Sequence, residues 1–380
     1  MTVVLPTEPV GSIPRPSRLQ RTVLDVEAGL ADPALLQVEQ DHAVADTLAR
    51  FAETGSPLIT DGEQRRQSFA SYPLGGSGAN DAAEAAANVF AVFADGHHRV
   101  LPRLTSGPFR YRAWAADDLT LARQHTDLPL KQAVVSPAML SLMYPFEGAL
   151  PDYPRERFHD DLVDACADDI GGAFAAGATR VSIDFTEGRL ALSRDARQPW
   201  AGRERLGGFI ELINRVLDRF SAEDRARIGV HTCPGSDRDS AHSAEVDYAE
   251  LIPELFQIEA GYFLVQAASE RDPDRVAALV GREITRLGER APHVRLGVTN
   301  PLTPRLETAE EVRDQLVRAA RFVPPERLGS TDDCGFSPYV IDDKPRHGSA
   351  DFAREVAFAK IATRVRGTEL ARAELAGVAS

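Results

Sequence analysis

The sequence predicts an α/β protein built as a (β/α)8 TIM-type barrel, with residues 1–380 forming a single domain. Three observations indicate this fold: short apolar runs alternate with longer helical patterns, eight such runs occur, and 380 residues suffice for one barrel with additions. Strands that alternate with helices pair in parallel. The main rival is an open doubly wound sheet. The glycine fingerprint of that fold is missing from "PVGSIPRP", because Pro14 and Pro16 oppose a helix start with free backbone amides.

The predicted strands are short apolar runs that end in polar segments. The first lies near residues 3–10, and the others lie at residues 57–60, 133–135, 180–183, 228–230, 262–265, 294–298 and 328–330. Residues 97–111 are predicted to form a hairpin inserted into the barrel, with a turn at Ser106-Gly107-Pro108.

Helical patterns occupy the stretches between these runs. They are predicted at residues 35–54, 153–176, 204–220, 273–290, 308–322 and 349–366. Thr308 is followed by Glu310 and Glu311, which is a helix N-terminal signature. Gly177 follows "GGAFAA" at the point where the second of these helices should end.

Composition and charge exclude several classes of partner. The net charge of −14 opposes nonspecific nucleic-acid binding, which needs a basic surface. No apolar stretch is long enough to cross a membrane, and the N-terminus lacks the pattern of a secretory signal. Three cysteines cannot form a disulfide framework, so we expect a protein of the reducing cytoplasm. Its acidic, arginine-containing helices would suit a homo-oligomer.

Polar residues follow each predicted strand, at the end of a barrel where active sites form. They are Gly11 and Ser12; Asp61, Glu63, Arg65 and Arg66; Ser136; Asp184 and Glu187; His231 and Cys233; Gln266; Asn300; and Cys334.

Two of the three cysteines lie at these strand ends. His231 and Cys233 are two residues apart, so in a strand both side chains point to the same face. Cys334 follows the eighth strand, which borders the same barrel mouth. One imidazole and two thiolates suit a zinc ion with an open fourth position. The alternative interpretation is that all three side chains are merely buried, as we expect for Cys166 within a helix.

These segments together resemble the C-terminal catalytic half of cobalamin-independent methionine synthase. The resemblance is carried in order by "VGSIPRP", "DGEQRR", "KQAVVSPAML", "SIDFTEGRLAL", "GVHTCPG" and "TDDCGFSPY". That family is a (β/α)8 barrel whose zinc activates a thiol for alkylation. The resemblance implies that the Zn²⁺ ligands are His231, Cys233 and Cys334. It also implies that Gly11, Ser12, Glu63 and Asp184 hold the thiol substrate.

Three departures from methionine synthase affect the expected reaction. The N-terminal half is absent, Gln266 stands where a glutamate lies near the zinc, and Asn300 stands in the segment that carries a histidine in the family. A second branch of the superfamily, the epoxyalkane:coenzyme M transferases, resembles this chain more closely. We therefore expect a zinc-bound substrate thiolate that attacks an alkyl electrophile. The first alternative is methyl transfer to homocysteine from a donor such as 5-methyltetrahydrofolate, and the second is a barrel that binds zinc or a thiol without catalysis.

The charged group that the substrate carries away from its thiol distinguishes the two expected reactions. The ammonium of an amino acid needs carboxylates, which Glu63 and Asp184 would supply as the expected catalytic residues. A sulfonate needs arginines, which Arg15, Arg65 and Arg66 would supply. The remaining residues expected around the substrate are Gln266 and Asn300, with His242 and Tyr339 as candidate proton donors.

Overall fold

A six-stranded parallel sheet forms the centre of the computed structural model, which describes residues 4–75 and 87–378. Its strands pair in chain order, β3 with β4 and so on to β8. They are β3 (Lys131–Val135), β4 (Arg180–Asp184), β5 (Ile228–Thr232), β6 (Tyr262–Val265), β7 (His293–Gly297) and β8 (Leu328–Thr331). Each one coincides with a predicted strand to within two residues, because buried parallel strands are continuous apolar runs.

Two further segments extend this sheet at its edges, in the places of the first and second predicted strands. Thr7 forms a parallel bridge with Ser330 of β8, and Ile59 forms one with Leu130 beside β3. The two segments also contact each other, since the Thr60 hydroxyl donates to the Gly11 carbonyl at 2.7 Å. The eight segments therefore follow one another around a (β/α)8 barrel.

The helices lie between the strands and beyond them. They are α1 (Ser17–Glu27), α2 (Pro33–Glu53), α3 (Ala115–Ala122), α4 (Pro137–Ser141), α5 (Arg155–Ala175), α6 (Glu187–Leu190), α7 (Arg203–Leu217), α8 (Ala222–Arg225), α9 (Tyr248–Leu255), α10 (Pro273–Leu287), α11 (Ala309–Ala319) and α12 (Ala350–Val378). All six predicted helices are present. Of these, α12 continues twelve residues past the predicted end at residue 366. No helix in the described ranges is long and apolar enough to cross a bilayer.

The inserted hairpin is present, but it begins earlier than predicted. Its antiparallel strands are β1 (Ala87–Val92) and β2 (His98–Pro102), and residues 93–97 connect them. Residues 106–108, predicted as the hairpin turn, lie beyond the second strand. The Trp200 indole N–H donates to the Phe90 carbonyl at 3.0 Å, which ties the hairpin to the segment before α7. This tertiary contact is invisible to local pattern analysis.

Candidate metal centre and active site

His231, Cys233 and Cys334 converge at the carboxyl ends of β5 and β8. One ligand atom from each lies within 4.8 Å of the others, and all three side chains are buried. The two sulfur atoms are 2.8 Å apart, and both cysteines are free thiols. Cys166 lies elsewhere, in α5, where its sulfur contacts the Val135 carbonyl at 3.8 Å. The structure therefore separates one buried thiol in a helix from two thiols that share a site.

Asp184 orients the imidazole of this cluster. It ends β4 and pairs in register with His231 on β5. Its carboxylate lies 3.1 Å from Nδ1 of His231. A proton on Nδ1 satisfies this hydrogen bond and leaves the lone pair of Nε2 for a metal ion. Asp184 therefore fixes both the ring orientation and the tautomer that a metal ligand needs.

The two thiols differ in acidity because one donates a hydrogen bond to the other. The hydrogen bond from Cys233, with help from the neighbouring His231, lowers the pKa of Cys334 to about 7. Burial and the nearby Cys334 sulfur raise the pKa of Cys233 well above its ordinary value. Of the two thiols, Cys334 is thus the one that ionises more readily. A cation that binds both sulfurs would displace their protons.

The chemistry of this donor set fits zinc. Zinc favours imidazole nitrogen and thiolate sulfur, and three protein ligands leave one coordination position for a substrate. Structural zinc sites usually have four protein ligands.

A pocket opens beside the cluster. His231 and Cys334 form part of its wall. The aromatic part of the lining consists of Phe69, Phe90, Phe93 and Tyr339. Phe90 belongs to β1, and Phe93 follows it directly, so the inserted hairpin contributes two of these rings. The wall beside the thiols is therefore largely apolar, which keeps water away from the reacting atoms.

Glu63 reaches into the same pocket from the loop after the second barrel segment. Its backbone is left-handed, with φ of 56°, and its amide donates to Asp61 at 2.9 Å. Burial raises the pKa of Glu63 to about 8 against the effect of Arg66, and Asp184 adds to the rise. One carboxylate oxygen, Oε2, is buried without a hydrogen-bond partner. This oxygen therefore lacks a hydrogen-bond donor among the described residues.

Gly11 and Ser12 lie next to Glu63, as the resemblance implies. A Cβ atom at Gly11 would lie 2.7 Å from Oε1 of Glu63, so a larger residue there would displace the carboxylate. Ser12 lines the pocket, and its hydroxyl accepts from the Ser337 amide at 3.3 Å. Both residues shape the pocket, Gly11 through the space that it leaves and Ser12 through its side chain.

The two arginines predicted to bind substrate do not line the pocket. Arg65 pairs with Asp41 of α2 on the outer surface. Arg66 is buried, where it donates to Asp118 at 2.9 Å and to the Ala133 carbonyl at 2.8 Å. Both side chains are occupied by protein partners, and substrate contact by Arg65 and Arg66 stays a prediction, because a strand-end position does not determine which way a loop side chain points.

Gln266 and Asn300 also lie outside the pocket lining. Gln266 accepts from Arg189 at 2.7 Å and from the Tyr248 hydroxyl at 2.9 Å. The side-chain oxygen of Asn300 accepts from the Leu302 amide at 2.9 Å. Both amides therefore organise loops, and their role as substrate-binding residues stays a prediction. Arg15 is likewise occupied by backbone carbonyls, including those of Ser337 at 2.5 Å and Glu63 at 2.7 Å.

The two candidate proton donors do line the pocket. Burial and the nearby Arg189 lower the pKa of His242 to about 3, so its imidazole is neutral at physiological pH. The Tyr339 hydroxyl has no hydrogen-bond partner among the described residues, and burial raises the pKa of Tyr339 well above its ordinary value. Each can donate a hydrogen bond, but neither is acidic enough to release a proton readily near pH 7.

Sequence analysis missed the aromatic wall. Phe69, Phe90 and Phe93 lie in a loop and in the hairpin, away from the strand ends where active-site residues were sought. The aromatic residues before and within the predicted hairpin were the available signal. Their approach to the barrel mouth depends on long-range packing.

Comparisons with known proteins agree with this geometry. Residues 5–342 match the family described as "Cobalamin-independent synthase, Catalytic domain". A 5-methyltetrahydropteroyltriglutamate–homocysteine methyltransferase of Mycobacterium tuberculosis (strain ATCC 25618 / H37Rv) is 26% identical over 361 residues, which cover 93% of this chain and 43% of that protein. The chain thus spans about two-fifths of the length of the mycobacterial relatives. A methionine synthase of Sulfurisphaera tokodaii is 23% identical, with 98% of this chain and 94% of that protein covered.

Solved structures share the fold. A B12-independent methionine synthase from Shewanella sp. W3-18-1, in complex with selenomethionine, superposes with a TM-score of 0.69 at 19% identity and covers 98% of this chain and 99% of that one. A second, from Listeria monocytogenes, gives a TM-score of 0.65 at 19% identity and covers 95% of this chain and 98% of that one. From the matched residues, which span most of its length, this chain belongs to the cobalamin-independent synthase catalytic-domain family.

Proposed function

We propose that this protein is an enzyme that transfers a methyl group to the thiol of a small amino acid of the homocysteine type. Residues 1–380 would act as one barrel domain, and His231, Cys233 and Cys334 would hold a zinc ion. The family and the names of its relatives support methyl transfer more than the epoxide opening expected from sequence. The Sulfurisphaera relative covers nearly all of both chains, which supports activity of a barrel-length protein.

The charge of the pocket is the observation that carries this proposal. Its described lining contains the carboxylates of Glu63, Asp184 and Asp237 but no lysine or arginine. Asp237 is already paired with Arg99 at 2.6 Å, and Asp184 with His231, whereas Oε2 of Glu63 has no partner. A substrate ammonium that entered the pocket would pair with the Glu63 carboxylate. A sulfonate would meet these carboxylates with no lysine or arginine in the described lining to pair with it, at a cost in electrostatic energy.

Each residue then has a defined task in the reaction. Bound zinc would lower the pKa of the acceptor thiol so that a thiolate is present at neutral pH. Glu63 would bind the ammonium, Asp184 would orient His231, and the aromatic wall would exclude water. The acceptor loses its S–H proton and gains an S–CH3 bond, while the donor loses its methyl group and its leaving atom takes up a proton. The donor would be a compound such as 5-methyltetrahydrofolate.

The test is a product assay with zinc-loaded protein. Homocysteine with 5-methyltetrahydrofolate, and separately coenzyme M with a small epoxide, would be followed by loss of free thiol and by mass spectrometry. We expect methionine from the first pair and no thioether from the second. Alkylation of coenzyme M without methionine formation would overturn the proposal. Stoichiometric thiol binding without either product would favour the non-catalytic alternative.

A further inference from the structure

The two loops that carry the clustered thiols are joined by a buried ionic network. The β5 loop, residues 233–247, connects β5 to α9 and contains Cys233; the β8 loop, residues 332–349, connects β8 to α12 and contains Cys334. We infer that Lys344 is a positioning residue that holds these loops together, so that both thiols stand side by side at one site before a metal arrives. The inference rests on the proposed metal site.

Lys344 belongs to the β8 loop but directs its ammonium towards the β5 loop. Its side chain is buried, with only 2% of its surface exposed. The ammonium donates to the Ser236 carbonyl, which lies three residues after Cys233. It also lies 3.6 Å from the carboxylate of Asp342 and 3.9 Å from that of Asp239. One cation therefore bridges acceptors on both loops.

Further bonds between the same loops converge on Asp239. His347 lies 3.0 Å from its carboxylate, and the Arg346 amide donates to it at 2.8 Å. Closer to the sulfurs, the Ser236 hydroxyl donates to the Gly335 carbonyl at 2.5 Å, between the residues that follow the two thiols. Hydrogen bonds therefore run without a break from Lys344 through Ser236 to Gly335, the residue after Cys334.

The β5 loop has an unfavourable backbone conformation where it meets this network. Arg238 and Asp239 are consecutive non-glycine residues with φ of 50° and 55°. Residues other than glycine rarely adopt this left-handed backbone conformation, and they keep it only when surrounding contacts impose it. The Arg238 amide donates to Asp342 of the β8 loop at 3.1 Å. The contacts between the loops therefore impose a geometry that the β5 loop would not adopt alone.

Lys344 itself does not line the pocket, so it does not act by touching substrate. Buried ionic groups are costly to desolvate and are a poor route to stability. What this network does is restrict the separation of Cys233 and Cys334, whose sulfurs lie 2.8 Å apart. A site preorganised in this way binds its ion without first having to order two loops.

The test is the zinc affinity of Lys344→Met, measured by competition with a chelating dye. We expect affinity to fall roughly 10- to 100-fold, the range seen when residues that support metal ligands are removed. Cobalt substitution gives a second readout, since loss of thiolate coordination weakens the sulfur-to-metal charge-transfer band. Lys344→Arg, which keeps the charge, should restore much of both signals.

The matched control is Lys360→Met, which removes another buried lysine. The ammonium of Lys360 pairs with Glu307 at 2.8 Å, and Glu307 belongs to neither thiol loop. This variant should lose stability but keep wild-type zinc affinity. Equal zinc affinity in Lys344→Met and the wild type would overturn the inference about Lys344 and leave the proposed metal site standing.

Two further outcomes are informative. If Lys344→Met does not fold, His347→Gln replaces it; a lower zinc affinity than wild type supports the inference, and an unchanged affinity overturns it. A wild-type protein that binds no zinc would instead overturn the proposed metal site, and the inference with it.

Discussion

Single residues of one type behave differently here because their surroundings differ. Cys334 accepts a hydrogen bond from Cys233 and lies near His231, so its pKa falls to about 7. Burial without such partners raises the pKa of Cys166 well above its ordinary value. A thiolate is the form that binds a metal or reacts. Of the three cysteines, Cys334 alone has a lowered pKa, and it lies beside a second thiol and an imidazole.

This contrast predicts the metal content of two alanine variants. Cys233→Ala removes one of three ligands and should lose most of its bound zinc. Cys166→Ala removes an equally buried thiol outside the cluster and should retain about one zinc per chain. Metal analysis of the purified proteins distinguishes them, and full zinc retention in Cys233→Ala would place the site elsewhere.

Glu63 makes acceptor binding dependent on pH. Since burial raises its pKa to about 8, Glu63 is mostly protonated at pH 6 and ionised above pH 8. An ammonium pairs only with the ionised form, so affinity for homocysteine should rise by up to about tenfold per pH unit between pH 6 and 8. Titration calorimetry over this range measures the effect.

The Glu63→Gln variant provides the control for this effect. We expect a KM for homocysteine at least about tenfold higher, with the Glu63 contribution to the pH dependence lost. A thiol acid without an amino group should bind both proteins alike. If homocysteine and the amine-free thiol responded equally to the substitution, Glu63 would not be the ammonium partner.

At the scale of elements, predictions from the sequence were most accurate where the hydrogen bonds join residues close together in the chain. The Thr308 hydroxyl accepts from the Glu311 amide, and the Glu311 carboxylate accepts from the Thr308 amide, which completes the expected capping box of α11. The prediction of the hairpin was less accurate, since its connection lies at residues 93–97. A distant residue, Trp200, anchors its strands, and local patterns do not show such a contact. The helices α1, α3, α4, α6, α8 and α9 were not predicted from the sequence.

Removal of the α11 cap should have a small, measurable effect. Thr308→Ala loses the hydroxyl that caps the helix and should reduce the free energy of unfolding by about 1 kcal/mol. Thr120→Ala alters an exposed hydroxyl inside α3, which only bonds back to Ala116, and should change stability by less than about 0.5 kcal/mol. Urea unfolding compares them, and equal effects would mean that the cap contributes little.

At the scale of the whole molecule, a buried ion cluster joins distant parts of the barrel at the opposite end from the thiols. Glu8, in the first barrel segment, lies 3.5 Å from Lys131 of β3 and 3.1 Å from Arg295 of β7. Burial alone would raise the pKa of Glu8, but the two cations outweigh it and hold that pKa below its ordinary value. The cluster links the edge segment to strands on either side of it.

Loss of the Glu8 charge should therefore destabilise the fold. Glu8→Gln leaves two buried cations unpaired, which costs about 3–5 kcal/mol at pH 7. Because the folded-state pKa of Glu8 is lowered, its contribution is present above the ordinary pKa of 4.5 and is lost as pH falls through the folded value. The difference between variant and wild type should thus shrink below pH 4.5.

The comparison for Glu8 is an exposed ion pair. Glu355 lies 2.6 Å from Arg50 with much of its side chain in solvent. Glu355→Gln should cost less than about 1 kcal/mol at any pH. Urea unfolding at several pH values measures both variants; a Glu8→Gln effect as small as that of Glu355→Gln would show that the cluster does not stabilise the barrel.

The amino-acid sequence by itself determined the alternation of strands and helices, the barrel and the strand-end positions of His231, Cys233 and Cys334. These follow from local periodicity and from the two-residue repeat of a strand, which any apolar run displays. Only the tertiary structure decided which side chains meet: Arg65 and Arg66 turn away from the pocket, and aromatic rings from the hairpin enter it. The orientation of a loop side chain depends on partners distant in the chain, and no local pattern encodes those partners.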